Sequence, residues 1–451
     1  MKSQIHDVII VGGGVSGTSL LYTLARYTDV RSVALIEKYG ELAALNSSAR
    51  ANSQTLHCGD IETNYTLGKA ANVKQIANMI LRYGDLVPEA RRHMFVHPKM
   101  VLGVGEPEVE EIARRHAAFS DLFPYMQLWD RRRIAQVEPD VALVDGRPRR
   151  EPILASGTLN QVCAIDYGGL SRSFVEQASA TMGSRIELLL RQRVTRITPE
   201  GDGYAVRTDR GRLRGRSVAV CAGAHSLLLG HEMGFGLEYA LLPVAGSFYY
   251  IPRQMRGKVY TLQNPKLPFA ALHADPDVAV PGKTRLGPTA LLLPKLERYR
   301  SGTYLDFLRV LKPDRAVAAA LWELVRDPDI RRYIVRNLMF EVPGLRRHLF
   351  ARDARKIIPS LREPELQYAH GIGGIRPQII DRRQRKLLLG EAVINPGNGI
   401  LFSITPSPGA TTCLGNAREN AQALVSHLGR RFDEERHARE LDGGLNLSTA
   451  A

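Results

Sequence analysis

The stretch VIIVGGGVSG, residues 8–17, decides the fold. Four β-branched residues in a row, with no polar alternation, mark a strand buried on both faces, the pattern of a parallel sheet. The strand stops at three consecutive glycines. VSGTSLLYTLARY follows, with Leu20, Leu21, Leu24 and Ala25 at helical spacing. Gly12, Gly14 and Gly17 therefore sit on a strand-to-helix turn. Gly12 permits the tight turn, Gly14 lets backbone approach a pyrophosphate, and Gly17 lets the helix pack on the sheet. The helix start then offers free N–H groups and a positive dipole end to the phosphates. A second strand, SVALIEK, ends in Glu37, placed to accept the hydroxyls of an adenosine ribose. An acid there disfavours a 2′-phosphate and hence NADP, leaving NAD or FAD.

A chain of 451 residues suits two domains, or one large domain with an insertion. With 44% apolar and 24% charged residues it is a globular composition. Cys58, Cys163, Cys221 and Cys413 are scattered without a CxxC pair, which argues against a disulfide framework or a zinc site; no metal is expected. No apolar run approaches the roughly 20 residues that span a bilayer, and the N-terminal run is too short for a signal peptide. A cytoplasmic chain is the expectation. The formal net charge of +15 favours an anionic partner. No zinc finger or RNA-binding aromatic motif is present, so nucleic acid is not that partner.

The remaining chain favours flavin over NAD. Residues 50–150 lack the regular βαβ units that an NAD-only enzyme would continue with. Later, QRVTRITPEGDGYAVRTDRGRLRGRSVAVCAGAHS reads as short alternating strands with Gly/Asp turns, closing on a buried strand that runs into Gly223. This pattern resembles the two-dinucleotide-fold flavoproteins, in which the backbone of a residue placed like Val194 contacts the adenine. Near the C-terminus, GILFSITPSPGATTCLGNARENAQALV reads as strand, turn and helix, with Gly409, Ala410 and Thr411 at the helix start. A helix N-terminus there would face the pyrimidine edge of a flavin.

SQTLHCGDIETNYT resembles the malate:quinone oxidoreductases of the D-amino-acid-oxidase-like flavoprotein superfamily. The matching residues are His57, Glu62, Asn64, Tyr65 and Thr66. RPQIID resembles a second block of that family through Arg376, Gln378, Ile379 and Ile380. SPGATT resembles a third through Ser407, Pro408, Gly409, Ala410 and Thr411. The likeness runs to about residue 425 and is closest to a compact bacterial form. Cys58 to Ile61 depart from the usual residues. The resemblance implies an α/β (α+β) fold with a Rossmann-like FAD domain and a substrate domain on an antiparallel sheet. It also implies oxidation of (S)-malate to oxaloacetate, with electrons passed to membrane quinone.

That chemistry needs a base for the hydroxyl proton, a cation for the carboxylate and a C2–H placed over flavin N5. His57 and His273 are the candidate bases. Arg376, on a glycine-rich approach, is the candidate carboxylate clamp, because a guanidinium fork matches a carboxylate bidentately. Lys283 and Arg285 are candidates for the second carboxylate of malate. Gln378, Asn64 and Tyr65 are candidate hydrogen-bonding residues.

Residues 303–361 mix apolar positions with twelve lysines and arginines, from Arg309 to Lys356. Such a basic amphipathic region suits anionic headgroups, so peripheral binding at the inner face of the cell membrane is expected. Pro343 and Pro359 are read as its helix breaks. Residues 1–85, 152–235 and 366–434 are assigned to the FAD-binding domain, 86–151 and 236–365 to the substrate domain, and 441–451 to a disordered tail. Two other readings stand beside the leading one. One is an FAD enzyme for another 2-hydroxy or amino acid, such as L-2-hydroxyglutarate; the other is a non-catalytic nucleotide-binding protein.

Overall fold

The computed structural model describes residues 5–263, 271–340, 342, 344–388, 392–405 and 408–443. The strand Ile5–Val11 lies in the middle of an eight-stranded sheet. It pairs in parallel with Val33–Ile36 on one side and Arg212–Val220 on the other. Ile186–Leu189 and Ile400–Ile404 extend the parallel array outward. The meander Val194–Glu200 and Gly203–Thr208 joins Arg212–Val220 in antiparallel sense.

Successive side chains of a strand point to opposite faces, and here both faces are covered. Val8 and Ile10 pack with Leu20, Leu21 and Leu24 of the helix Val15–Tyr27, and with Ala178 and Leu424 of the helices Tyr167–Met182 and Cys413–His427. Ile9 and Val11 pack with Ile197, Tyr204 and Val206 of the meander. That double burial is why the strand shows no polar alternation.

A second, largely antiparallel sheet has eight strands, among them Met94–Val104, Ile153–Ile165, Lys258–Thr261, His273–Pro276 and Thr284–Gly287. A third has four: Leu291–Leu292, Tyr239–Ala245, Ile375–Asp381 and Lys386–Leu388. Strand pairing thus departs from the expected domain segments. Ile153–Ile165 pairs with Met94–Val104 in the second sheet, and the strands from Gln367 to Leu388 belong to the second and third sheets, not to the nucleotide sheet.

The basic region forms the helices Tyr304–Leu311, Arg315–Arg326, Pro328–Met339 and Leu345–Ala354. Its breaks come from capping as well as proline. Lys312 turns left-handed at φ +40°, and Asp314 then caps the next helix through Val317 N. Asp327 caps the third helix, with Pro328 in its first turn. Pro343 lies outside the described residues. The expected disordered tail begins too early, because Leu441 and Asp442 are buried against the first helical layer. Residues 444–451 lie outside the described residues.

Candidate active site

A cavity of about 940 Å³ runs between the nucleotide sheet and the other two. At one end it is lined by Gly12, Gly14, Glu37, Val194 and Gly223. Gly12 has φ +109°, and a Cβ on it would strike the Cys221 carbonyl. Gly17 is off the cavity; a Cβ there would strike the Gly12 carbonyl, so its role is the close approach of helix to sheet. Gly14 precedes the helix Val15–Tyr27 without a side-chain cap of its own; Val15 N donates to Ser47 Oγ at 2.9 Å, and Gly14, Val15 and Ser16 line the cavity at this helix start. Glu37 accepts Gly13 N at 2.7 Å and Tyr39 N at 2.9 Å, which holds the glycine turn against the second strand.

At the other end the lining includes His57, Arg376, Gly409, Ala410 and Thr411. Ser407 lies outside the described residues. His57 sits in the loop before the helix Leu67–Leu86, and two contacts fix it, one of them backed by a third. Its Nδ1 is 2.6 Å from Glu62 Oε1, its backbone N donates to Thr411 Oγ1 at 3.1 Å, and Thr411 meets the Tyr167 hydroxyl at 3.0 Å. Glu62 also accepts Gly59 N at 2.8 Å, while Arg115 donates to the carbonyls of Gly59 and Glu62. Burial alone would raise the Glu62 carboxyl; the hydrogen bond and charge of His57 outweigh it and hold it below the usual range. An ionised Glu62 on Nδ1 makes Nδ1 the protonated nitrogen and leaves Nε2 to the cavity.

Arg376 stands on Ile375–Asp381 opposite Val244. Among the described residues none gives its guanidinium a hydrogen bond or ion pair. Burial pulls its pKa below the ordinary value, and its electrostatic neighbours are Tyr260, Tyr333 and Tyr65. A guanidinium left unpaired at a cavity wall is a site for an anion.

The remaining expected residues fall elsewhere. His273 is fully buried, stacked on Tyr260 with centroids 4.5 Å apart and paired through Nδ1 with Asp275 Oδ2 at 2.5 Å. It does not line the cavity. Burial lowers its pKa, so it is held neutral. Lys283 is exposed, over the Tyr250 ring. Arg285 is fully buried, 4.5 Å above the Phe248 ring and 3.9 Å from Asp277. Gln378 shares a strand face with Arg376 but is buried off the lining; Asn64 and Tyr65, in the His57 loop, are half-buried and also off it. Sequence reasoning assigned no role to Glu62, although it lies only five residues after His57, and it missed Tyr260 and Tyr333 around Arg376. The four cysteines are buried and unpaired, with Cys58 and Cys221 pushed up to about 12 by burial. No metal-holding cluster occurs among the described residues.

Residues 7–423 match the family model of the FAD-dependent oxidoreductases. The chain belongs to that family. FAD is its cofactor, and the cavity suits it: a glycine turn, a helix start and the Glu37 carboxylate at one end, a second helix start at the other. Two relatives cover nearly the whole chain. A "probable malate:quinone oxidoreductase" of Campylobacter jejuni is 44% identical over 98% of this chain and 100% of its own length. A malate:quinone oxidoreductase of Helicobacter pylori is 43% identical over 97% and 98% respectively. Among solved structures, the L-α-glycerophosphate oxidase of Mycoplasma pneumoniae with FAD bound is similar at TM-score 0.61 and 18% identity, over 93% of this chain and 95% of that one. The glycine oxidase of Geobacillus kaustophilus is similar at TM-score 0.62 and 17% identity, over 94% and 95%. These two are alike in fold.

Proposed function

We propose that this chain oxidises (S)-malate to oxaloacetate and passes the electrons to membrane quinone. The observation that carries the reading is a half-buried guanidinium, paired by none of the described residues, on the same cavity as an imidazole whose Nδ1 is held by a carboxylate. The names of the full-length relatives support the choice of acid and acceptor.

Arg376 takes the carboxylate next to C2 in a bidentate grip. His57 Nε2 accepts the hydroxyl proton, and Glu62 stabilises the imidazolium that results. Thr411 ties the His57 backbone to the start of the helix Cys413–His427, which keeps the base in register with the cofactor loop. When bound, FAD supplies the acceptor for the C2 hydride.

No described helix is long and apolar enough to cross a membrane, so meeting a lipid-soluble quinone requires docking at the bilayer surface. The helices Tyr304–Leu311, Arg315–Arg326 and Pro328–Met339 suit that role. Leu305 is 63% and Trp322 66% exposed, with Val325, Val335 and Leu338 also exposed. Arg309, Arg315, Arg326, Arg331 and Arg332 stand exposed among them. Apolar tips in a basic field fit the anionic inner face of the cell membrane.

The test is anaerobic stopped-flow bleaching of the flavin with malate, L-2-hydroxyglutarate, lactate and D- and L-amino acids. Malate should bleach it fastest, and a quinone analogue should restore the colour faster than oxygen or NAD does. Faster bleaching by L-2-hydroxyglutarate would replace the substrate; no bleaching by any acid would support a non-catalytic nucleotide-binding protein. Binding to anionic vesicles should fall in high salt and in a Trp322→Ser variant. Equal binding to neutral vesicles would refute the docking surface.

A further inference from the structure

The adenosine end of the cavity has a second wall. Glu37, Lys38 and Tyr39 line it from the nucleotide sheet, and the segment from Glu297 to Thr303 lines it from the opposite side. That segment follows Leu291–Leu292 of the third sheet and runs into the helix Tyr304–Leu311. Two side chains of the nucleotide domain hold it. The Glu297 carboxylate accepts both Lys38 Nζ and the Tyr39 hydroxyl. His225 Nε2 lies 3.7 Å from the same carboxylate. Arg300 lies over the Tyr39 ring at 4.8 Å.

The segment is also tied internally and on its far side. Glu297 N donates to Thr303 Oγ1 at 3.1 Å, and the Tyr299 hydroxyl donates to Ile372 O at 2.8 Å. The Glu297 side chain is only 2% exposed. Burial alone would raise its carboxyl, but the Lys38 charge and the two hydrogen bonds hold it below the usual range, so it is an anion at neutral pH. Burying an ion pair contributes little net stability, yet breaking one by removing a single partner is costly. Such a pair works better as a specific fastening than as glue. Here it fastens two stretches 259 residues apart that both line the cavity.

We propose that Glu297, Lys38 and Tyr39 form a clasp that holds the strap Glu297–Thr303 over the adenosine half of bound FAD, so that the cofactor leaves only when the clasp opens. The proposal rests on FAD as cofactor and is independent of which acid is oxidised. A non-covalent dinucleotide is then retained by a gate as well as by its phosphate cradle.

The test measures FAD release from the holoenzyme by the fluorescence of free flavin, and ADP binding to the apoprotein by calorimetry. Losing charge-assisted bonds of this kind is worth roughly a 10–100-fold change. Glu297→Gln and Lys38→Met should each speed FAD release by about that factor and weaken ADP to a similar extent. The double variant should release FAD no faster than the quicker single, because both remove one shared contact. Unchanged release in both singles overturns the clasp, as do single effects that multiply in the double or an unaltered ADP affinity. If Glu297→Gln does not fold, Lys38→Met alone decides through the same two readouts.

Discussion

Replacing Glu62 by Gln tests the proposed base most directly. The substitution keeps shape and leaves an oxygen to accept from His57 Nδ1, but it removes the negative charge 2.6 Å away. A hydrogen bond to a charged partner contributes about 1.5–3 kcal/mol, and a neutral one about 0.5–1.5 kcal/mol. The difference, about 1–2 kcal/mol, is what Glu62 adds as the imidazole becomes a cation. At about 1.4 kcal/mol per tenfold in rate, flavin reduction should slow roughly 5–30-fold. Removing an anion beside a base makes it harder to protonate, so the acid limb of the pH–rate profile should move to lower pH. Malate affinity, which the proposal assigns to Arg376, should change far less than the rate. The assay is single-turnover flavin reduction across pH, with bound FAD checked by absorbance. A variant reduced as fast as the parent, or one whose acid limb stays in place, would refute the assignment of His57 and Glu62 as an acting pair.

Arg376→Lys keeps the charge but loses the fork, and malate should bind about 10–100-fold more weakly with FAD retained; titration of the bleaching rate against malate reads this. His57→Ala should slow reduction by about 10²–10⁴-fold. His273→Ala, which strands Asp275 beside Lys258 and empties the stack on Tyr260, should chiefly lower the thermal midpoint and slow reduction less than His57→Ala does; the reverse order would move the base to His273. Glu138 is raised to about 7, burial being the larger cause against the opposing hydrogen bonds from the Gly257 and Arg256 backbone. The folded state therefore holds a proton that the unfolded chain, with a Glu near about 4.3, has already lost. This group's contribution is fully present at low pH and disappears as pH rises through about 7, a loss on the order of 2–4 kcal/mol. Urea unfolding at pH 5 and pH 8 should show a smaller decline for Glu138→Gln than for the parent.

The nucleotide end was legible because its signals are local. Strand, glycines, helix, strand and Glu37 fall within about thirty residues, and each obeys a backbone rule that holds before any tertiary contact forms. The reacting end was legible only in pieces. His57 and Arg376 do reach one cavity, but sequence alternation says only that His273 and Asp275 share a strand face, not that the face is packed against Tyr260. Ile153–Ile165 reads as a strand in any sheet; its partner, Met94–Val104, is what places it. Tyr333 reaches the surroundings of Arg376 from a helix 43 residues earlier in the chain, and nothing local to either residue announces that meeting. Glu62 could have been found, since an acid five residues from a loop histidine is a natural partner once the loop doubles back.

The bond from His57 N to Thr411 Oγ1 joins residues 354 positions apart, and Ile400–Ile404 completes the parallel array beside Arg212–Val220. The site therefore needs residues from both ends of the chain before it is complete. A ribosome that has released residues 1–390 has made the whole glycine cradle and the His57 loop, yet neither the closing strand nor the Thr411 anchor. Contacts of such long sequence separation form late and leave apolar edges open meanwhile. Val218, Val220 and the apolar face of the helix Val15–Tyr27 wait uncovered for the last strand and helix. Chain order thus sets an interval in which the cradle exists while the strand and helix that cover its sheet do not.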